Sequence, residues 1–297
     1  MSNNNYKGRF APSPTGPVHY GTLVAAVGSY LQAKKNNGSW IIRMEDVDTL
    51  RNVDGADTDI LNTLETFGFE WDEKILYQTQ QTNYYEQVLE SLISQSMVFP
   101  CLCSRKKLAL EKNKIYPGTC RHRSIPEHQD HALRILTNDI NIEFQDCVMG
   151  KQSQNIKQQC GDFIIKRRDG LFAYQLAVVV DDAMQGITEI VRGADLLEST
   201  PRQIYLQQLL NYSTPEYCHL PIVVDKVGNK ISKTGGAVKV DVKNKEKLLI
   251  STLNFLGQQA PDELYKSHIN DIWFWAIKHW DITNTPKVEK LITQINI

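Results

Sequence analysis

Two groups of residues far apart in the chain have side chains suited to phosphate chemistry. The first runs from Arg9 to Thr22 and contains His19, and the second is Lys230-Ile231-Ser232-Lys233 in a loop rich in Lys, Gly, Ser and Thr. Lysine ammonium groups supply point charges for a polyphosphate, and a flexible loop can close over a leaving group. Either group alone is a weak signal, because such residues are common in surface turns. If the fold brings them together, they predict a nucleotide site.

The first group occupies a predicted strand, loop and helix. Three prolines and Gly16 break the chain after a short apolar run, and Leu23 to Ala33 then repeats apolar residues at helical spacing. The free amide groups and the positive dipole end at the start of such a helix favour an anion such as a phosphate. His19 adds a donor there, and Gly21 has no Cβ, so a flat ring could lie directly on the backbone.

The elements around this loop predict an α/β fold. Trp40 to Met44 has the composition of a buried parallel strand and is followed by the acidic residues of Glu45-Asp46-Val47-Asp48. Carboxylates at the carboxyl end of such a strand lie where open α/β sheets bind ligands. Asp57 to Phe67 and Tyr84 to Ile93 have the periodicity of amphipathic helices. Alternating strands and helices predict a Rossmann-like, doubly wound parallel sheet.

Changes of pattern indicate that this sheet is split by an insertion and followed by a tail. The polar middle segment, with its short strand-like pieces, separates two apolar halves of the predicted core, and the last segment has helical periodicity. Within the second half we predict a strand over 219–224 and a helix that follows Ser199 as its N-cap. In chain order the predicted units are the first half of the core (1–96), the insertion (97–160), the second half with the lysine loop (161–236) and the helical tail (237–297).

The composition is that of an ordinary globular protein. The 297 residues contain 33 Lys plus Arg and 34 Asp plus Glu, and the pI is about 6.7, so any contact with RNA would have to be local. The polar stretch from Met1 to Lys7 lacks an apolar signal core, and no apolar run is long enough to span a membrane. We therefore expect a soluble, cytoplasmic protein, with a monomer as the default state.

Three of the six cysteines, Cys101, Cys103 and Cys120, lie close together in the chain. In a reducing cytoplasm such a cluster favours a metal over a disulfide, and three sulfur ligands suit a tetrahedral zinc ion. We expect a structural role for the remaining cysteines, which stand singly without a nearby base, and we interpret His219 as a core or edge histidine. Those cysteines are Cys147, Cys160 and Cys218.

The two phosphate-binding groups, in this order, resemble the two nucleotide-binding signatures of class I aminoacyl-tRNA synthetases. Within this class the sequence is similar to the glutamyl branch in three stretches, which are Arg9 to Gly16, Arg43 to Asp48 and Val191 to Asp195. Only 64 residues follow Lys233 (297 minus 233), fewer than the ~100 to 150 of a common domain, so we expect no anticodon-binding domain of the kind found in glutamyl-tRNA synthetases. With Gly170 to Asp182 included, the chain most resembles the glutamyl-queuosine tRNA(Asp) synthetase family.

This resemblance implies an activity, its partners and the residues that carry it. The family activates L-glutamate with ATP and Mg²⁺ and attaches it to the queuosine base in the anticodon of tRNA(Asp), so these substrates are the implied partners. His19, Lys230, Lys233 and Thr22 are implied in catalysis. The ATP site implied by the signatures consists of His19, Gly21 and Lys233. Thr22 stands where many relatives carry a second histidine, so it can donate a hydrogen bond but no charge.

A bound glutamate needs cationic partners for two carboxylates and an anion for its ammonium group. Arg9 and Arg192 can hold carboxylates bidentately, and Glu45 can take the ammonium group. Tyr174 can add a hydrogen bond from the side. The resemblance further implies backbone contacts from Ala11 to Ser13.

The fourth ligand of the predicted zinc ion stays open between two residues. The queuosine-specific family uses a tyrosine in a Tyr-x3-Cys arrangement, which Tyr116 and Cys120 match, whereas the glutamyl-tRNA branch offers Cys-x-His, which Cys120 and His122 match. Imidazole is the more common zinc ligand. On family grounds we favour Tyr116.

Other functions remain open from the residues alone. A truncated glutamyl-tRNA synthetase would charge the 3′ end of tRNA(Glu), and a non-catalytic paralogue would bind RNA or protein with the same fold. The presence of His19, Lys233 and Glu45 argues against the second, because a scaffold need not keep them. A nucleotidylyltransferase that makes a small-molecule adenylate is disfavoured by the two arginines.

Overall fold

The computed structural model describes residues 6–108, 115–126, 129–225, 228 and 239–293. Its strands in these ranges are β1 (Lys7–Phe10), β2 (Ser39–Met44), β3 (Asp72–Tyr77), β4 (Val98–Cys101), β5 (Ala132–Ile135), β6 (Asn141–Asp146), β7 (Gly150–Asn155), β8 (Ile164–Lys166), β9 (Glu189–Gly193), β10 (Glu216–Leu220), β11 (Ile222–Val224) and β12 (Lys290–Ile292). The α-helices are α1 (Tyr20–Lys35), α2 (Ala56–Thr66), α3 (Thr82–Ser94), α4 (Arg105–Leu108), α5 (Tyr174–Met184), α6 (Thr200–Leu209), α7 (Lys245–Phe255) and α8 (Ile269–His279).

Parallel strands from both halves of the chain form the centre of the molecule. β1, β2 and β3 pair in parallel in that order, and β9, β10 and β6 form a second parallel group that β7 extends in the antiparallel sense. The two groups meet at β1 and β9, where the amide of Thr188 donates to the carbonyl of Lys7 at 2.9 Å. The predicted α/β class with a parallel sheet is confirmed.

Helix α1 follows the first strand and packs across the seam between the two groups. It contacts β1, β2 and β9, and it also contacts α7 and α8 of the tail. Tyr30 of α1 makes edge contacts with Trp40, Phe69 and Trp273, with ring centroids 4.9 to 5.2 Å apart. Because these rings come from β2, the loop before β3 and α8, their burial fixes the start of the chain against its end.

Residues 97–160, the predicted insertion, contribute strands to two different sheets. β4, β5 and β8 form a small antiparallel sheet. The hairpin of β6 and β7 instead joins the parallel strands of the centre, since Asp146 pairs with Tyr217 of β10. The insertion segment and the second half of the core are therefore continuous in space through this hairpin.

Three details differ from the expectations drawn from the sequence. The strand predicted over 219–224 is two strands, β10 and β11, which pair with different partners on either side of Pro221. Ser199 makes no side-chain cap, because a 3₁₀ turn (Ala194–Ser199) leads directly into α6. The tail is helical but also supplies β12, which pairs in parallel with β11.

Among the described residues, no helix is long and apolar enough to cross a membrane.

Candidate active site

A cavity of about 360 Å³ lies where β1, β9 and β11 end and α1 begins. It is lined by residues that the sequence assigned to catalysis and substrate binding, which are Arg9, Ala11, Ser13, His19, Gly21, Thr22, Glu45, Tyr174 and Arg192. The structure therefore brings together residues that lie far apart in the sequence, from Arg9 to Arg192. The two lysines of the second signature, Lys230 and Lys233, lie outside the described residues.

His19 is the N-cap of α1 and has an extended backbone. Its Nδ1 accepts a hydrogen bond from the amide of Thr22 at 3.3 Å, and its Nε2 lies 3.0 Å from the Thr22 hydroxyl. The ring is therefore tied to the first turn of α1, at the cavity end of the helix. The positive end of the helix dipole favours an anion here.

The chain segments that flank the lysine loop both reach this site. Val223 of β11 lines the cavity just before the loop. After the loop, Lys239 forms an antiparallel bridge with His19, and the amide of Val240 donates to the carbonyl of Val18 at 3.0 Å. The described residues on either side of the loop therefore lie beside the first signature.

Arg9 enters the cavity from the end of β1 and is 3 % exposed. Its Nε donates to Asp182 of α5 at 3.1 Å, and Asp182 also accepts from Nη1 of Arg43 at 2.8 Å. Burial opposes ionisation of Asp182, but the charges of Arg43 and Arg9 outweigh it and hold the pKa of this carboxyl below its ordinary value. Asp182 therefore fixes the Arg9 guanidinium while leaving its Nη atoms for a ligand.

Glu45 directly follows β2 and lies 3.5 Å from Nη2 of Arg43. Burial raises the pKa of the Glu45 carboxyl to about 7, against the opposing charges of Arg43 and Arg9. A cation bound beside Glu45 would favour its ionised form. Glu45 is therefore suited to an ammonium group.

Arg192 lies near the end of β9, is 5 % exposed and lines the cavity. Its Nε donates to Nε2 of His219 at 3.0 Å, and its Nη2 donates to the hydroxyl of Thr200 at 2.8 Å. We expected both arginines to hold carboxylates bidentately, but the Nε of each is already bonded within the protein. A carboxylate ligand is left with the Nη atoms of Arg9 and with Nη1 of Arg192.

Tyr174 begins α5 at the cavity wall. Burial, with a contribution from the Glu45 charge, raises the pKa of its hydroxyl to about 12. The hydroxyl is therefore protonated at neutral pH and can donate a hydrogen bond from the side, as the sequence predicted.

The clustered cysteines meet in a separate apolar pocket at the end of β4. The sulfur atoms of Cys101, Cys103 and Cys120 all lie within 4.8 Å of one another, and those of Cys103 and Cys120 are 3.8 Å apart. Tetrahedral zinc with Zn–S bonds of about 2.3 Å requires sulfur atoms about 3.8 Å apart. The three residues could therefore hold a metal ion.

Of the two candidates for a fourth ligand, Tyr116 lies in this cluster. Its hydroxyl is 3.6 Å from the sulfur of Cys101 and accepts the amide of Cys120 at 2.7 Å. Burial opposes ionisation of Cys120, but the hydrogen bond with Tyr116 and other local donors outweigh it and lower the pKa of this thiol to about 7. His122 is exposed.

Comparison with known proteins places this geometry in a family. Residues 6–261 match the model of the catalytic domain of class I tRNA synthetases (E and Q). The chain is 48% identical over 287 residues to the glutamyl-Q tRNA(Asp) synthetase of Aromatoleum aromaticum, covering 95% of this chain and 91% of that protein. It is 45% identical to the protein of the same name from Pseudomonas aeruginosa strain PAO1, covering 97% and 98%. The chain belongs to the glutamyl-Q tRNA(Asp) synthetase family.

The fold of this family member is shared with longer synthetases. The crystal structure of a glutamate tRNA ligase from Elizabethkingia meningosepticum superposes with a TM-score of 0.81 at 22% identity, covering 98% of this chain and 67% of that one. The glutamate-tRNA synthetase of Elizabethkingia anophelis gives 0.80 at 23% identity, covering 96% and 67%. These likenesses confirm the Rossmann-like fold that the sequence predicted.

Several residues of the site were not found from the sequence of this family member. Asp182 was included only as the end of the stretch Gly170 to Asp182, and its contacts with Arg9 and Arg43 were not predicted. His219 was interpreted as a core or edge histidine, and that interpretation missed its contact with Arg192. Cys147 and Cys218 do not stand singly, because their sulfur atoms and the Glu189 carboxylate lie within 4.8 Å of one another. These pairings join distant parts of the chain and leave no local spacing signal.

Proposed function

We propose that the protein is a class I ligase that adenylates L-glutamate with ATP and transfers the glutamyl group to the queuosine base in the anticodon of tRNA(Asp). The observation that carries this proposal is 44 to 48% identity, over almost the whole chain, to proteins named glutamyl-Q tRNA(Asp) synthetase. The cavity supports it independently, because it combines two buried arginines with one acid and one tyrosine hydroxyl.

Glutamate fits this cavity by charge. The Nη atoms of Arg9 and Nη1 of Arg192 are placed to hold the two carboxylates, and Glu45 takes the ammonium group. Tyr174 donates a hydrogen bond from the side, and the backbone from Ala11 to Ser13 closes the cavity wall. A substrate with only one carboxylate would leave the Nη donors of one buried arginine without an acceptor, which is costly.

ATP would lie against the first turn of α1, with its adenine ring on the backbone at Gly21. A carboxylate oxygen of glutamate then bonds to the α-phosphorus while the bond to the β-phosphate oxygen breaks, and pyrophosphate leaves. His19, Lys230 and Lys233 stabilise the charge that develops, with Mg²⁺ neutralising the phosphates and Thr22 donating to His19. A hydroxyl of the acceptor next attacks the carbonyl carbon of the mixed anhydride, and AMP leaves.

The acceptor distinguishes this function from the charging of a 3′ end. We expect labelled glutamate to transfer, in the presence of ATP and Mg²⁺, only to tRNA(Asp) that carries queuosine. Removing the 3′-terminal adenosine of that tRNA should leave the labelling intact, because the ester forms in the anticodon. Label on unmodified tRNA(Asp), or label on tRNA(Glu) that is lost with its terminal adenosine, would instead identify a glutamyl-tRNA synthetase.

We further infer that Cys101, Cys103 and Cys120 bind one structural zinc ion with Tyr116 as the fourth ligand. The position of the Tyr116 hydroxyl among the three sulfur atoms supports this choice over His122. The ion would hold the loop that follows β4 against the small antiparallel sheet. Its contribution is local, because the apolar residues around it form a separate cluster from the main core.

The metal content of two variants tests the ligand set. Tyr116→Phe keeps the ring but removes the oxygen, so we expect zinc affinity to fall by more than about tenfold in a competition with a chromogenic chelator. His122→Ala is the matched control and should bind zinc like the parent protein. The opposite ranking of the two variants would make His122 the ligand.

A further inference from the structure

The guanidinium of Arg192 is held on two of its three nitrogen atoms. Nε donates to His219 at 3.0 Å and Nη2 donates to Thr200 at 2.8 Å. Nη1 is buried and has no hydrogen-bond partner in the ranges that the structure describes. Arg192 lines the cavity, and a buried donor of such a residue that has no partner in the protein is available to a ligand acceptor. The two contacts that hold Arg192 therefore decide where this donor points.

The contact with His219 fixes the tautomer of the imidazole. Arginine has donors only, so Nε2 of His219 must carry a lone pair and the ring proton must be on Nδ1. Nδ1 lies 2.6 Å from Oδ2 of Asp146, and its N–H donates a hydrogen bond to that oxygen. Burial lowers the pKa of His219 to about 4, against the opposing effect of the hydrogen bond that the ring donates to Asp146. The imidazole is therefore neutral at pH 7, as the acceptor role requires.

Asp146 is itself held in one orientation by the turn between β6 and β7. Its Oδ1 accepts backbone amides of Val148 at 3.0 Å, Met149 at 2.8 Å and His219 at 3.2 Å. With three donors on Oδ1, only Oδ2 is left for the His219 ring. Asp146 and His219 are both fully or nearly fully buried, at 1 % and 0 % exposure.

We propose that Asp146 and His219 are positioning residues that orient Arg192, so that its Nη1 donor faces a carboxylate of the amino-acid substrate. The proposal rests on the proposed function, since it assigns Arg192 to glutamate. It links the β6–β7 hairpin to the cavity through three side chains in series. Neither Asp146 nor His219 touches the substrate, and both act through Arg192.

The substitution Asp146→Asn tests this arrangement with almost no change in volume. The amide oxygen must stay on the side of the three backbone donors, which leaves the NH₂ group facing Nδ1 of His219. The His219 ring must then accept a hydrogen bond at Nδ1 and carry its proton on Nε2. That N–H would point at the Nε–H of Arg192, so two donors would face each other. In His219→Gln a side-chain oxygen can still accept from Arg192, whereas His219→Leu offers nothing.

Glutamate-dependent exchange of pyrophosphate into ATP measures the effect. We expect the KM for glutamate to rise about 10- to 100-fold in Asp146→Asn and His219→Leu, with the KM for ATP within twofold of the parent protein. His219→Gln should recover part of that loss. The matched control is Glu143→Gln on the exposed face of β6, which should change neither constant.

Three results would overturn the proposal while leaving the function intact. They are an unchanged KM for glutamate in both variants, a rise in both KM values together, and a failure of His219→Gln to exceed His219→Leu. Absence of exchange in the parent protein would instead refute the proposed function. If the variants fail to fold, ¹⁵N NMR of the parent protein decides, because a proton on Nε2 of His219 at neutral pH contradicts the arrangement.

Discussion

Glu45 is held beside two arginines, yet burial raises the pKa of its carboxyl to about 7. The carboxyl lies near the point where half of the molecules are protonated at neutral pH. In the proposed function the ammonium group of glutamate binds only to the ionised form, so part of the binding free energy is spent on removing this proton. Substrate affinity and pH are therefore linked through one residue.

We predict that the KM for glutamate depends on pH with an inflection near 7. Above pH 8 Glu45 is ionised without ligand, and the KM should be flat. As pH falls below 7 the KM should rise toward tenfold per unit, because each substrate molecule must displace a proton. Pyrophosphate exchange at pH 6 to 8.5 measures this.

The variant Glu45→Gln provides the control for this pH dependence. It should have a high KM for glutamate that does not change across the same pH range. The KM for ATP in the parent protein should lack the inflection. A parent KM for glutamate that is flat from pH 6 to 8.5 would contradict the role given to Glu45.

At the scale of residues, the sequence predicted candidate site residues that lie within a motif of fixed spacing. Arg9, His19 and Glu45 belong to such motifs, since each lies at the end of a strand or just before a helix, and all three line the cavity. Asp146 and His219 were not, because their partners are 73 and 27 residues away along the chain. Buried hydrogen-bond partners of this kind have no sequence period.

Helix α1 lines the site at its N-terminal end and packs in the core further along. Gly21 lies in the first part and Gly28 in the second. A Cβ at Gly21 would lie 3.4 Å from the ring of His19, in ordinary contact range, whereas a Cβ at Gly28 would lie 2.4 Å from Cδ1 of Leu220. Leu220 is fully buried. Gly28 is thus required for the close approach of α1 to β10.

We predict that alanine changes a different quantity at each of these two positions. Gly28→Ala should lower the free energy of unfolding by up to about 2 kcal/mol, because overpacking of about 1 to 3 kcal/mol exceeds the helix-propensity gain. Gly21→Ala should leave stability within about 0.5 kcal/mol but raise the KM for ATP, because the methyl group covers the surface proposed for the adenine ring. Urea unfolding and pyrophosphate exchange measure the two quantities. A larger loss of stability in Gly21→Ala would refute this division.

Elements with a strong period were predicted well from the sequence, and short strands were not. The helices around 57–67 and 84–93 occur as α2 and α3 within about two residues of the predicted bounds. β3 was missed because its sequence, Asp72–Tyr77, begins with three charged residues, of which Glu73 has a positive φ. Its strand conformation comes from pairing with β2, which is a tertiary effect.

On the scale of the whole molecule, the tail belongs to the same apolar core as α1. Leu249, Leu253, Trp273 and Trp280 pack in one cluster with residues of α1 and β2. The indole of Trp280 also donates to Gln32 of α1 at 2.8 Å, and both side chains are buried. The free energy of unfolding measured anywhere in this cluster should therefore report on the tail as well.

The variant Trp280→Phe tests whether the tail stabilises the core. It keeps an aromatic ring but leaves the buried oxygen of Gln32 without its donor, so we expect a loss of about 1 to 3 kcal/mol in urea unfolding. Trp275→Phe, at a half-buried position in α8, should change stability by less than about 0.5 kcal/mol. Equal effects of the two substitutions would show that the tail is not coupled to α1.

The packing of the tail could not be predicted from the sequence, because its helical periodicity does not identify the partner of its apolar face. The pairing of β12 with β11 was equally hidden, since it joins two short strands with 65 residues between them. The alternation of strands and helices predicted the fold class, and the likeness to a known family added the candidate site residues. Physical contacts between remote segments had to come from the structure.

The seam between β1 and β9 determines when the protein can become an enzyme during its own synthesis. β1 is made early, but the Thr188 amide that joins its edge is 181 residues further along. At about 5 to 20 residues per second the nascent chain carries an unpaired β1 edge for about 10 to 35 s. During that interval Arg9 lacks Arg192, its partner in the proposed glutamate site, so under that proposal glutamate cannot assist the early steps of folding on the ribosome.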